Sequence, residues 1–174
     1  MPADPMPPTP LHDPLNNPAH DPALDVLMRA ARDASTRAYI PYSGYPVGAA
    51  LRALDGTVYT GCNVENAAYP AGICAERTAL VKAISEGARQ FDLLVVYTVN
   101  GGSPCGICRQ MLYEFAPSLR VVLIDAALTV THDVPLHELL PRGFGAASLP
   151  GASAPSYSGL DGATAESMDG DGAR

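Results

Sequence analysis

Two apolar runs, "DLLVVYTV" at 92–99 and "RVVLID" at 120–125, constrain this chain most. Each is rich in leucine and β-branched residues and has the length of a strand buried on both faces. Between them, "PCGICRQMLYEFAP" reads as a helix stopped by Pro117. A strand, a helix and a second strand make a crossover between parallel neighbours, which belongs in a layered α/β domain. The sequence on either side agrees. Asp21-Pro22 combines an N-cap acid with proline at the first helical position. Leu24, Leu27, Met28, Ala31 and Ala34 then recur at helical spacing to about Ala38. "IPYSGYP" breaks that helix. "VGAALRA" and "TVYTGC" are two short strands joined around Asp55-Gly56, a hairpin signal. "NVENAAYPAGI" is a loop. "CAERTALVKAISEG" is a helix with Ala79, Leu80, Ala83 and Ile84 as its apolar face and Gly87 just past its end. "PLHELLP" is a short last helix. The expected order is α-β-β-α-β-α-β-α, with a hairpin and helix-connected parallel strands sharing one sheet.

The ends differ in composition from the middle. Residues 1–21, "MPADPMPPTPLHDPLNNPAHD", offer little to bury and are expected to form a disordered arm. Residues 147–174, rich in Ser, Gly, Ala and Asp, are expected to be a disordered tail. The folded domain is placed at 22–146. Of the net charge of −7, the arm carries −3 and the tail −3, so the domain is close to neutral. No basic stripe is available to follow a phosphate backbone, and a nucleic-acid partner is not expected. No apolar run has the length of a membrane span. The N-terminus has no Lys or Arg before Arg29 and no apolar core of a secretory signal. A cytoplasmic protein is expected, with its four cysteines reduced or bound to metal.

Those cysteines are the chemical feature of the chain. Cys74 falls at the start of one predicted helix, and Cys105 and Cys108 at the start of the next. Helix starts present unpaired N–H groups and a positive dipole end, and both favour thiolate. The two helices are expected to follow neighbouring strands, so that their N-termini emerge on one sheet edge, where open α/β sheets place ligands. Three thiolates converging there suit a zinc ion with a coordination position left for solvent. The competing arrangement is a structural site of four cysteines, closed by Cys62. Of the histidines, His12 and His20 lie in the arm, and His132 and His137 lie far along the chain. Glu76, two residues after Cys74, is either a surface acid favoured by the helix dipole or a proton carrier beside the metal.

Three segments, "PYSGYPVGAAL", "GCNVENAAYPAGICAERTAL" and "SPCGICRQ", together resemble the cytidine deaminases of the small homotetrameric kind. The resemblance covers about residues 35–146. It implies a three-layer α/β/α domain with a mixed sheet of about five strands. It implies zinc, one per chain, on Cys74, Cys105 and Cys108, with Glu76 as the general acid/base. Asn63 and Glu65 would hold the ribose hydroxyls, the Ala75 backbone would read the base edge, and Arg77 would be the cation beside the thiolates. Tyr45, where the family usually has Phe, would pack on the base or sugar. Phe144 would reach into a neighbouring subunit's pocket, although a lone Phe after a short helix is more often core. Gln110 would orient a nearby carboxylate or lie on the helix surface. Cys62 matches a family cysteine that is not a ligand. The implied reaction is hydrolysis of cytidine and 2′-deoxycytidine to uridine and 2′-deoxyuridine with release of ammonia, in pyrimidine salvage. The partners would be a free nucleoside and three further copies of the chain. A deaminase of blasticidin-S-type nucleosides and a non-catalytic zinc module are the alternatives.

Overall fold

The computed structural model describes residues 22–150. The N-cap reading of Asp21, the arm at 1–21 and most of the proposed tail lie outside the described residues. Four α-helices and five strands follow in the order α1 (Pro22–Ser35), β1 (Gly48–Ala53), β2 (Val58–Cys62), α2 (Ala75–Ser85), β3 (Phe91–Tyr97), α3 (Gly106–Phe115), β4 (Arg120–Ile124), β5 (Val130–Pro135) and α4 (Leu136–Leu139). Short 3-10 turns lie at Tyr69–Ala71 and Ala146–Ser148.

The five strands form one sheet in the order β2-β1-β3-β4-β5. β3 and β4 are parallel, as the crossover required, and the other three pairs are antiparallel. Alternate residues of each central strand face opposite layers, as the period of two dictates. Ala50, Leu93, Val95, Val122 and Ile124 point to α1, against Leu27, Met28 and Ala31. Ala49, Leu51, Leu94, Val96, Val121 and Leu123 point the other way, against Ala79, Leu80 and Ala83 of α2, Leu112 of α3 and Leu136 of α4. The domain is therefore helix on sheet on helix, with a mixed sheet of five strands. No helix among the described residues is long and apolar enough to cross a membrane.

α2 and α3 do not follow neighbouring strands. α2 follows β2 and α3 follows β3, and β1 lies between them. Their N-termini still meet, because β1 is antiparallel to both, so β2 and β3 run the same way and end at the same edge.

Two glycines set how closely the helices approach the sheet. A Cβ on Gly48 would lie 1.9 Å from the Ala31 carbonyl oxygen of α1. On Gly61 it would lie 2.4 Å from the Ala79 nitrogen and 2.5 Å from the Ala75 carbonyl oxygen, both in α2. Only the absence of a side chain lets α2 press its first turns onto β2. At the far end of α2, Gly87 has φ +98° and its N–H bonds to the Ile84 carbonyl, the expected stop. α3 ends at Ala116, whose φ of −152° is non-helical, as the residue before Pro117 should be.

Candidate active site

Cys74 is the N-cap of α2 and Cys105 the N-cap of α3. Cys108 lies one turn further along α3 and is fully buried. Their sulfurs gather at the shared sheet edge. Cys74 Sγ is 3.8 Å from Cys105 Sγ, and Cys105 Sγ is 3.5 Å from Cys108 Sγ. All three Sγ atoms lie within 4.8 Å of one another. Cys62, a free half-buried thiol at the end of β2, is not part of this group. The four-cysteine arrangement is thus not built.

Charge within the group is divided unevenly. Interaction with the neighbouring Cys108 thiol pulls Cys74 down to about 5, with Arg77 adding to the effect. The same contact, with burial, pushes Cys108 up. Arg77 Nη2 lies 4.0 Å from Cys74 Sγ and 3.3 Å from the Gly72 carbonyl oxygen. Arg77 thus stands where a cation beside the thiolate was expected.

Glu76 sits in the first turn of α2 and is 3 % exposed. It is not the surface acid of the bland reading. Its Oε2 is buried without a hydrogen-bond partner. Burial pushes the carboxyl up to about 7, and the Cys74 thiolate adds to the rise. A buried carboxyl oxygen with no partner is costly, and such atoms mark places where a ligand or reacting proton completes the structure. Three soft thiol donors at two helix N-termini, with this acid at their side, fit a zinc-type ion better than a hard cation.

The loop after β2 forms the flank of the site. Residues 63–65 run extended between two partners. Val64 and Ile73 exchange N–H···O bonds at 2.9 and 3.0 Å, and Glu65 N–H donates to the Tyr39 carbonyl at 2.8 Å. Asn63 spends its amide on the opposite loop, accepting from Val47 N–H and donating to the Tyr45 carbonyl, both at 2.9 Å. Glu65 Oε2 accepts the N–H groups of Tyr42 and Ser43 at 2.9 and 3.2 Å. Bonding from Ser43, then from Tyr42, holds this carboxyl below its ordinary range. Both residues therefore brace their loop, and both also line an open cleft of about 540 Å³ that reaches Cys74 and Arg77.

The remaining predicted residues are more scattered. Ala75 is fully buried at the first position of α2, where its N–H has no partner within the helix. Tyr45 does not line that cleft; its hydroxyl donates to Asn100 Oδ1, which also receives the Thr98 hydroxyl. This partnership was missed in the sequence, since nothing local links positions 45 and 100. Phe144 is 59 % exposed, so the core-packing reading of it fails. Gln110 is exposed on α3, as the helix-surface alternative had it, and its Nε2 donates to the Phe144 carbonyl at 2.7 Å. Sequence reasoning also missed Arg109, whose only signal is a cation placed at the positive end of a helix.

The family model described as "Cytidine and deoxycytidylate deaminase zinc-binding region" matches residues 23–124. A cytidine deaminase of Sporosarcina psychrophila is 44 % identical over 123 residues, covering 70 % of this chain and 90 % of the relative. One from Halalkalibacterium halodurans is 42 % identical over 121 residues, covering 68 % and 92 %. The crystal structure of cytidine deaminase from Burkholderia pseudomallei superposes with a TM-score of 0.66 at 43 % identity, over 69 % of this chain and 98 % of that one. With three thiols grouped as zinc ligands, a buried acid beside them and these matches across the same residues, the chain belongs to the cytidine and deoxycytidylate deaminase zinc-binding family.

Proposed function

We propose that this chain hydrolyses cytidine and 2′-deoxycytidine to the corresponding uridines, releasing ammonia in pyrimidine salvage. The observation that carries the reading is Glu76: a buried carboxyl with an unpartnered oxygen, two residues from a thiolate ligand and held near neutral pH by its surroundings. Zinc on Cys74, Cys105 and Cys108 supplies a Lewis acid that makes water nucleophilic near neutral pH. Glu76 then does the proton work. Its carboxylate accepts a proton from the attacking water and delivers it to N3 of the base. The water oxygen bonds to C4, Glu76 passes the remaining proton of that C4 hydroxyl to the 4-amino group, the C4–N bond breaks, and ammonia leaves with the oxygen kept as the C4 carbonyl. A carboxyl that burial poises near 7 loses affinity for its proton once a cation sits beside it, which favours the basic form needed first.

The Ala75 N–H, free of helix partners, is assigned to the base edge. Asn63 and Glu65 are assigned to the sugar. An amide keeps a second N–H and a second lone pair after its loop bonds, and a carboxylate has acceptor capacity beyond two N–H groups. Tyr45, outside the cleft, is assigned to bracing the neighbouring loop through Asn100, Arg77 to charge balance on the thiolates, and Phe144 to a second copy of the chain in a homotetramer. Its exposure supports that last role. Four free thiols support a reducing, cytoplasmic setting.

The test is Glu76→Gln. The variant should keep about one zinc per chain by elemental analysis and lose activity on cytidine by about 10²–10⁴-fold or more. Loss of zinc from this variant would make Glu76 a ligand and end the proton-carrier assignment. Ammonia release from blasticidin S but not from cytidine would favour the other nucleoside class.

A further inference from the structure

A cation in the first turns of a helix opposes the dipole, yet Arg109 follows the ligand Cys108 near the start of α3. Its guanidinium is spread over three acceptors. Nε donates to the Pro104 carbonyl at 2.7 Å, Nη2 to the Ser103 hydroxyl at 2.9 Å and Nη1 to the Leu139 carbonyl at 2.7 Å. Ser103 and Pro104 are the two residues leading into Cys105. Leu139 is the last residue of α4. The fork therefore ties the lead-in of one ligand to the second ligand's helix and to the end of the chain's last helix. Cys105 is the exposed member of the three thiols. Cys108 is held by burial within α3, and Cys74 is backed by Arg77. Cys105 sits before the first residue of its helix and depends on the backbone that enters it.

We propose that Arg109 is a positioning residue for the metal centre, fixing Cys105 through the Ser103–Pro104 backbone and anchoring that backbone to α4. The role needs a planar fork. An ammonium is a point donor on a flexible stem and cannot span three divergent acceptors, so Lys is not a substitute. Gln110, the next residue, makes a separate tie to the segment beyond α4 and does not touch the lead-in of Cys105. The inference rests on the zinc-deaminase reading and adds to it a residue that touches neither metal nor substrate.

The test times zinc release from the intact holoenzyme with the chelating dye 4-(2-pyridylazo)resorcinol, well below the melting temperature. Arg109→Lys and Arg109→Met should release zinc about 10-fold faster than wild type or more, the range seen when groups that orient ligands are lost. Lys should do no better than Met. The cobalt-loaded Arg109→Lys protein should show weakened thiolate-to-metal absorption. Arg120→Ala, which breaks the Arg120–Asp133 pair between β4 and β5, is the control for general destabilisation. It should release zinc at the wild-type rate, as should Gln110→Ala. Wild-type release from Arg109→Lys overturns the inference. So does an equal acceleration in Arg120→Ala, which would reduce Arg109 to ordinary stability, or in Gln110→Ala, which would move the restraint to the C-terminal segment. Wild-type protein that holds zinc and deaminates cytidine sustains the underlying reading whichever way the Arg109 variants behave.

Discussion

A methyl group on Gly61 should damage the active site although Gly61 touches neither the thiols nor the cleft. A Cβ there would meet the Ala79 nitrogen at 2.4 Å and the Ala75 carbonyl oxygen at 2.5 Å, with the Thr78 Cβ at 2.9 Å. The two closest atoms are helix backbone and cannot rotate away. Restoring ordinary contact near 3.4 Å requires α2 to back off β2 by about 1 Å. Ala75 stands between Cys74 and Glu76, so the shift falls on the one helix turn that supplies both a ligand and the proton carrier. Overpacking of this kind costs about 1–3 kcal/mol. A 1 Å misplacement of catalytic groups can cost about 10²-fold in rate. Gly61→Ala should therefore lower both the melting temperature and kcat for cytidine, and release zinc faster to a chelator. The matched control is Gly106→Ala, inside the "PCGIC" motif. A Cβ there meets nothing within 4 Å, and position 106 opens α3, where Ala is the better helix former. It should keep activity and not lose stability. Gly61→Ala with wild-type melting and rate, or Gly106→Ala as the damaging member of the pair, would refute the reasoning.

Cys62→Ala should retain zinc and most activity by metal analysis and assay, while Cys74→Ala should lose both, because only Cys74 belongs to the thiol group. Phe144→Ala, which trims an exposed ring, should raise KM for cytidine without removing zinc; an unchanged KM would dismiss its proposed role in a neighbour's pocket. Glu65 titrates below its ordinary value in the folded chain, so its ionised form stabilises the fold above the unfolded pKa near 4.5, and that support is lost as pH falls through the lower folded value. Glu65→Gln should flatten the fall of melting temperature between pH 6 and pH 3. In cytidine assays it should also raise KM; an unaltered KM would leave Glu65 as a brace alone.

The metal centre was readable because helix starts are local. Cys74 and Cys105 are the caps that the sequence made them, and Glu76 follows from its offset along α2. The central strands were readable because each is an unbroken apolar run. The resemblance implied about five strands, but β5 had no counterpart in the element order read from the residues. Its sequence, "VTHDVP", carries the exposed His132 and Asp133, has no fully buried residue and ends in proline, which suits an edge strand and leaves no apolar alternation to find. The premise that α2 and α3 follow adjacent strands failed for a topological reason: the hairpin folds β1 back between β2 and β3, and no local signal says which hairpin strand takes the inner place. The links made by Asn63, Tyr45, Arg109 and Gln110 were also hidden. Each joins positions that are separated along the chain, and a side chain's partner cannot be read from its own neighbourhood.

The three thiols come from only two stretches of chain, with Cys105 31 positions after Cys74. A zinc ion on them is a cross-link as well as a reagent. By the loop-entropy relation that applies to disulfides, closing a loop of that length removes entropy from the unfolded chain worth roughly 3–4 kcal/mol. That loop contains α2 and β3, the helix that carries Glu76 and a central strand of the sheet. Binding the metal therefore fastens the β2–α2 unit to the β3–α3 unit at the edge where both helices begin. The opposite edge, where the β1–β2 turn lies, gains nothing directly. Chelation should loosen the molecule unevenly, with amide exchange rising first in the opening turns of α2 and α3 while the β1–β3 ladder remains protected.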